Sequence, residues 1–344
     1  MPNHFLAAGV YGCVYYPGYT CKGTATKNKK WVSKLTDRSD KTDMEIDAGK
    51  RLKKIPHYED HFVLVERDCT IPYKSLTAMK VGCDLVKKEK PYILLYSKYI
   101  PSVELYKYFQ ENTLFIRIFR CYYQLCEKVA LLIENNIVHH DLHFANVLYS
   151  TETAKLYIID FGLAIMADHF QKDSYLNKIF SRYIPDWNWY SLEIHFISYL
   201  VQHGELTDKT VYHTIETYLA KHAVFTLIPV IRTQFMKTAL DYFLPLTELD
   251  PKEGIRHLLS FWNTWDYYEL ALRFLYIYVE NKIYYPAFFE NLLTMIDANP
   301  EKRPNVLPIR NANKKTIQSF DLSSSKSTYF SINSDISTES VKNL

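Results

Sequence analysis

The chain has 344 residues, 48% of them hydrophobic and 23% charged, so general low-complexity disorder is excluded and roughly two domains are expected. A net charge of +3 is too small at this length to imply a specific nucleic-acid partner. The six cysteines (Cys13, Cys21, Cys69, Cys83, Cys121, Cys126) contain no C-x-x-C pair, which argues against a metal site and against a secreted disulfide framework. Residues 1–16 lack a basic stretch followed by an apolar block, and no apolar run reaches the ~18 residues of a membrane-spanning helix. The expectation is a soluble, cytoplasmic protein without membrane insertion; its oligomeric state is not legible.

Phe5 to Tyr16 is rich in β-forming residues and interrupted by Gly9 and Gly12, conspicuous in a chain with only 9 glycines. A turn-rich segment (Pro17, Gly18, Gly23, Asn28) leads to a short strand at Lys30–Leu35. Thr42–Ile55 reads as a helix, with Ile46, Leu52 and Ile55 on one face, and strands return at Phe62–Glu66 and Tyr92–Ile100. From Thr113 the apolar residues Ile116, Phe119, Tyr123, Cys126, Ala130 and Ile133 recur at steps of three and four, a helix of about six turns. A loop follows, then the strand Leu156–Ile159, then helices to about Leu307. The pattern predicts an α+β fold of two lobes, a mainly β one over 1–100 and a mainly α one over 101–310. Residues 311–344, rich in Ser, Asn, Thr and Lys, read as a disordered tail.

Four segments carry the chemistry. In Leu6-Ala-Ala-Gly9-Val-Tyr-Gly12-Cys-Val14, glycines in a strand-turn-strand setting let backbone N–H groups approach a polyphosphate, although two glycines alone would equally mark a β-bulge. On the next strand Val32 and Lys34 share a face, so a lysine points where an apolar residue is expected; a lysine at a strand end is otherwise simply solvated. Glu45 on the following helix is its candidate partner, but Thr42-Asp-Met-Glu45 is also a capping box in which Glu45 would bond back to its own helix start. The third segment, His139-His140-Asp141-Leu-His143-Phe-Ala-Asn146, sets an aspartate and an asparagine five apart on one loop. Such a pair can divide two tasks, accepting a hydroxyl proton and supplying an oxygen to magnesium. Fourteen residues on, the strand Leu156–Ile159 delivers Asp160-Phe161-Gly162, a carboxylate suited to a metal on a hinge; alone it would be an ordinary strand-turn junction.

In this order and spacing the segments resemble the eukaryotic-type protein kinases over about residues 5–305. Gly-Val-Tyr-Gly-Cys-Val-Tyr, Pro17, Cys21 and the arginine-free loop at 139–146 are similar to the divergent serine/threonine kinases of large cytoplasmic DNA viruses, which would place the protein in host cytoplasm or virion. Asp297-Ala-Asn-Pro300-Glu-Lys-Arg303-Pro304 resembles the family's closing D-P-x-x-R-P element. The resemblance implies a two-lobe kinase fold using ATP and Mg2+ on a protein substrate. Leu6, Gly9, Gly12 and Val14 would cover the nucleotide, Lys34 with Glu45 would hold its α- and β-phosphates, and Ser97, Lys98, Tyr99 and Ile100 would border adenine. Asp141 would be the catalytic base, His143 would stand where the family carries a lysine near the γ-phosphate, and Asn146 and Asp160 would be the metal ligands.

Departures from the pattern matter. Ala7 replaces the first loop glycine, and His140 replaces the arginine that reads a phosphorylated activation loop. Without a recognisable A-P-E motif the activation segment looks short, and Arg303 has no evident partner and reads as a surface charge. Asp186 or Asn188 is expected to brace the catalytic loop. Two rival readings stay open: a small-molecule phosphotransferase, since His-His-Asp-Leu-His-x-x-Asn also resembles the H-G-D-L-H-x-x-N loop of aminoglycoside- and choline-type kinases, and a pseudokinase binding module.

Overall fold

The computed structural model describes residues 4–9, 12–79, 83–86, 89–220, 222–283 and 285–324. Val10 and Tyr11, inside the glycine turn, and the tail over 325–344 lie outside the described residues. The chain forms two compact units, one from 1–108 with 144–165 and the other from 109–143 with 166–344. The first unit thus reaches past residue 100 and also takes in 144–165, because Val103–Glu104 pairs with Val147–Tyr149, which pairs in turn with Leu156–Ile158.

The first unit is built on an antiparallel sheet in the order β1-β2-β3-β5-β4. Its strands are β1 (His4–Gly9), β2 (Gly12–Tyr16), β3 (Trp31–Asp37), β4 (Arg67–Ile71) and β5 (Tyr92–Lys98). Alternation sorts the side chains. Cys13, Tyr15, Leu35, Tyr92, Leu94 and Tyr96 form a core on one face. Ile93 and Leu95 turn to the other, where Val65 and Ile46 of helix α1 (Asp40–Leu52) cover them. Lys34 pairs directly with both Val14 and Leu95, so it lies on that second, helix-covered face. Helix α1 starts two residues before Thr42. The Thr42 hydroxyl donates to the Asp37 carbonyl at 2.7 Å, which fastens the helix to the end of β3.

Two expectations for this unit are corrected. Phe62–Glu66 is not a strand: Phe62 makes one parallel bridge to Ile158, and Phe62, Leu64 and Val65 are buried as a connecting segment. The strand lies just after it, at Arg67–Ile71, an edge whose exposed charged residues hide the β pattern. The cysteines are not all free: Cys13–Cys83 and Cys21–Cys69 are disulfides closing separations of 70 and 48 residues. Cysteines that meet across a folded sheet carry no local spacing signal.

The second unit is helical. Helix α2 (Tyr73–Met79) belongs to the first unit and α3 (Leu105–Glu111) runs across the boundary; the second unit then holds α4 (Phe115–Glu134), α5 (Asp173–Ile179), α6 (Leu192–His203), α7 (Asp208–Ala220) and α8 (Ala223–Leu227). They are followed by α9 (Pro229–Phe243), α10 (Pro251–Leu259), α11 (Trp265–Glu280), α12 (Pro286–Met295) and α13 (Val306–Ser324). Helix α4 has the predicted length, but its buried stripe is turned from the expected face: Phe119, Cys126 and Ala130 are buried together with Ile118, Tyr122, Leu125 and Val129, while Ile116, Tyr123 and Ile133 are half-buried. Helix α11 is buried on nearly every side from Trp265 to Tyr278, with the acids Asp266 and Glu269 enclosed among its apolar residues. Among the described residues no helix is long and apolar enough to cross a membrane.

The disordered tail expected from Asn311 begins instead as the body of α13. Ile309, Asn313 and Thr316 are buried, and Phe320 packs against Phe115, Phe119 and Tyr285. Arg310 pairs with Glu127 of α4 at 2.9 Å. Two polar residues, Asn313 and Thr316, hold inward positions, which is why no apolar stripe shows in the sequence.

Truncation after Arg310 is therefore expected to lower the melting temperature by several degrees, since it removes the buried Asn313 and Thr316 and the ring contacts of Phe320; an unchanged melting curve would contradict the docking. Alkylation of the denatured, unreduced protein should find two thiols, Cys121 and Cys126, and six after reduction. Six before reduction would refute both disulfides.

Candidate active site

In the first unit, Lys34 sits between two carboxylates. Its Nζ lies 3.0 Å from Glu45 Oε2 and 2.9 Å from Asp160 Oδ1. Burial opposes the ammonium, but Glu45 and Asp160 outweigh it and raise the lysine above its ordinary pKa, so it stays charged. The alternative for Glu45 is thereby decided: it faces Lys34 rather than the start of its own helix. A side chain at residue 12 would crowd this arrangement, because a Cβ there would lie 3.0 Å from Lys34 Cγ and 3.1 Å from the Leu35 carbonyl. Gly12 leaves room for the close passage of Lys34.

The two carboxylates differ. Glu45 has 12% of its side chain exposed and Asp160 38%, so Asp160 is the one able to turn toward a ligand. Asp160 has a left-handed backbone (φ 61°), an uncommon state for a non-glycine residue that recurs at functional sites. Its Oδ1 also accepts the Gly162 N–H at 3.4 Å, and Phe161 is buried edge-on against Phe62. Asn146 lies in the same unit, buried, its carbonyl accepting the Ile159 N–H just before Asp160. A carboxylate and an amide oxygen are hard donors that suit Mg2+, which is commonly held by one or two protein ligands together with nucleotide phosphates.

Of the other predicted nucleotide contacts, Val14 lies opposite Lys34, Leu6 falls at a register shift of the β1–β2 pair, and Gly9 pairs with Gly12. Ser97 and Lys98 end the β5 ladder opposite Val32 and Trp31. Tyr99 donates its N–H to the Lys30 carbonyl and stacks on Tyr16 at 3.7 Å, and Ile100 follows half-buried.

The second unit holds Asp141 and His143. The expected braces, Asp186 and Asn188, do not hold the loop that carries them. Two buried carboxylates of α11 do so. Asp266 accepts the N–H groups of His139 at 2.7 Å and His140 at 3.0 Å, and Glu269 accepts that of Leu142 at 3.0 Å. Burial pushes the Asp266 carboxyl up to about 6, while His139 and the two backbone donors pull it back. Nothing in the sequence ties these two acids to the loop, because each stands 127 residues after a backbone group that it binds. His140 has φ 62° and stacks on Tyr190 at 4.1 Å; burial, with His139 and His195 nearby, pushes its pKa down to about 3. Burial also holds His143 below its ordinary value, with Asp141 pulling the other way, so the imidazole is mostly neutral at pH 7. Its Nε2 lies 3.7 Å from Asp141 Oδ2.

Arg303 is not a surface charge. It is buried, and its guanidinium grips Glu193 with bonds of 2.6 and 2.9 Å. Glu193, in the first turn of α6, is thus the partner that the sequence did not reveal for Arg303, because the two stand 110 residues apart. The segment before it carries helix α5, and the Tyr175 hydroxyl accepts the Met166 N–H at 2.6 Å.

Among curated proteins, none matches the chain. The sequence profile described as protein tyrosine and serine/threonine kinase matches residues 4–201, more than half of the chain. That span holds Lys34, Glu45, Asp141, Asn146 and Asp160, and the α+β fold is that of the family's two lobes. The chain belongs to the protein tyrosine and serine/threonine kinase family.

Proposed function

We propose that the protein transfers the γ-phosphate of Mg·ATP to serine or threonine hydroxyls of protein substrates, without needing a phosphorylated activation segment. The observation that carries this reading is the buried lysine between Glu45 and Asp160, a cation held ready for phosphates beside a carboxylate exposed enough to take a metal. Lys34 would bind the α- and β-phosphates, oriented by Glu45, under a cover shaped by Leu6, Gly9, Gly12 and Val14. The stretch Ser97, Lys98, Tyr99 and Ile100 would border adenine. Asn146 and Asp160 would hold Mg2+, which when bound neutralises developing charge on the phosphates. Asp141 would orient the substrate hydroxyl and accept its proton as the oxygen attacks the γ-phosphorus and the bond to ADP breaks. His143 would donate a hydrogen bond toward the γ-phosphate rather than supply a fixed charge. Serine/threonine preference is supported by the Leu142-His-Phe-Ala run, which lacks the alanine/arginine-rich loop of tyrosine kinases.

Independence from phosphorylation is supported by His140. A neutral, ring-stacked imidazole cannot clamp a phosphate as a guanidinium does. The segment that would be ordered by such a phosphate already contains α5 and the Tyr175 anchor.

Labelled ATP offered with a panel of proteins and small molecules, followed by phosphoamino-acid analysis, is expected to give phosphoserine and phosphothreonine. Label on small molecules alone would favour the phosphotransferase reading, and no transfer would favour a binding module. Asp141→Asn should reduce transfer by about two to four orders of magnitude, and near-normal turnover would sink the assignment. Phosphatase treatment should leave initial rates unchanged. A large drop restored by preincubation with ATP, and lost when Ser174, Tyr175 and Ser181 are all replaced, would show that a phosphorylated segment is required.

A further inference from the structure

Asp141 is flanked on both sides by residues tied to one short stretch of chain. The residue before it, His140, lies face to face with Tyr190, their centroids 4.1 Å apart and their planes 18° from parallel. The residue after it, Leu142, donates its N–H to Glu269 Oε2. The other oxygen of Glu269 accepts from Arg273, with Nε at 3.0 Å, and this guanidinium lies over the Trp189 ring at 4.2 Å from its centroid. Two adjacent aromatic residues therefore end on the two neighbours of Asp141, one directly and one through Arg273 and Glu269.

The energetics give this chain of contacts a purpose. Glu269 is nearly enclosed, with 4% of its side chain exposed, and a buried carboxylate needs compensation. Arg273 supplies the charge but is itself 13% exposed, and the flat indole face is what covers it. If Trp189 moves, Arg273 gains freedom, Glu269 loses its fixed orientation, and the Leu142 N–H loses its acceptor geometry. His140, held at φ 62°, likewise depends on a ring contact to keep an uncommon backbone state.

We propose that Trp189 and Tyr190 form a ring latch that fixes the register of the catalytic loop, with Arg273 and Glu269 as positioning residues. This device takes the place of the phosphate-to-arginine pairing that His140 cannot make. The proposal rests on the kinase reading for what the register serves, but the latch itself is a property of the loop. Arg273 and Glu269 also lie close enough to His143 to act on its charge, with opposite signs, and the exchange comparison below separates that effect from the latch.

The test compares Trp189→Leu, Arg273→Lys, Glu269→Gln and Trp189→Leu/Glu269→Gln with the wild type. Each should lower kcat by about ten- to a hundredfold while leaving KM for ATP within about twofold, because a small misplacement of the base is costly and the nucleotide contacts are elsewhere. The double variant should lose no more than the worse single variant, as expected of groups acting in one unit. Hydrogen exchange over 139–143 should speed up in Trp189→Leu and Glu269→Gln without a change over 31–37. Multiplicative losses in the double variant, unchanged kcat, or unchanged exchange at 139–143 in Trp189→Leu would overturn the latch. Trp189 is only half-buried, so its variant keeps the test decisive if Glu269→Gln fails to fold. If the wild type transfers no phosphate, the kinase reading fails, and the exchange comparison still decides whether the latch exists.

Discussion

A lysine on the covered face of a sheet is tolerable only if opposite charge reaches it, and the first unit is organised around that demand at Lys34. Glu45 answers from α1, Asp160 answers from the end of a strand more than a hundred residues later, and their combined pull exceeds the cost of burial. Several neighbours follow from this one constraint. Helix α1 lies on the Val14–Lys34–Leu95 face, Thr42 ties it to β3, and glycine at residue 12 leaves room for the lysine. A cation with two carboxylates carries one negative charge in excess, and the more exposed carboxylate is the one at a left-handed residue. The arrangement suits the arrival of a metal and phosphates, which would part Lys34 from Asp160 and give each a new partner.

The second unit solves a different problem. A loop that presents Asp141 has backbone donors with no helix or sheet of their own, and a buried N–H left unpaired is costly. Asp266 and Glu269 take three of them, from one face of a helix that is otherwise core. Their own charge is supported by those donors and, for Glu269, by Arg273. The same logic of paired burial explains Arg303 and Glu193, enclosed to 1% and 0% exposure of their side chains and linked by bidentate bonds.

What the sequence displayed plainly was whatever depends on local order: the glycine turn, the lysine on its strand, the loop from His139 to Asn146, Asp160-Phe-Gly and the long helix α4. What it hid depends on residues meeting from afar. Asp266 and Glu269 look like interruptions of an apolar run, and Glu193 follows a serine and a leucine rather than the expected motif. Asp186 and Asn188 attracted attention only because they are polar residues near the right place. The four disulfide cysteines meet only once the first unit has folded, across separations of 70 and 48 residues. Helix α13 was missed because Asn313 and Thr316 occupy inward positions that a hydrophobic count passes over.

The claim on which the account turns is that Lys34, Glu45 and Asp160 form a site for nucleotide and metal together. Calorimetric titration of ATP with and without Mg2+, into the wild type and Asp160→Asn, tests it most directly. Wild type should bind ATP more tightly with Mg2+, and the gain should shrink by about tenfold or more in the variant, as the loss of a charged ligand implies. ATP affinity indifferent to Mg2+ in the wild type, or an equal gain in Asp160→Asn, would contradict it.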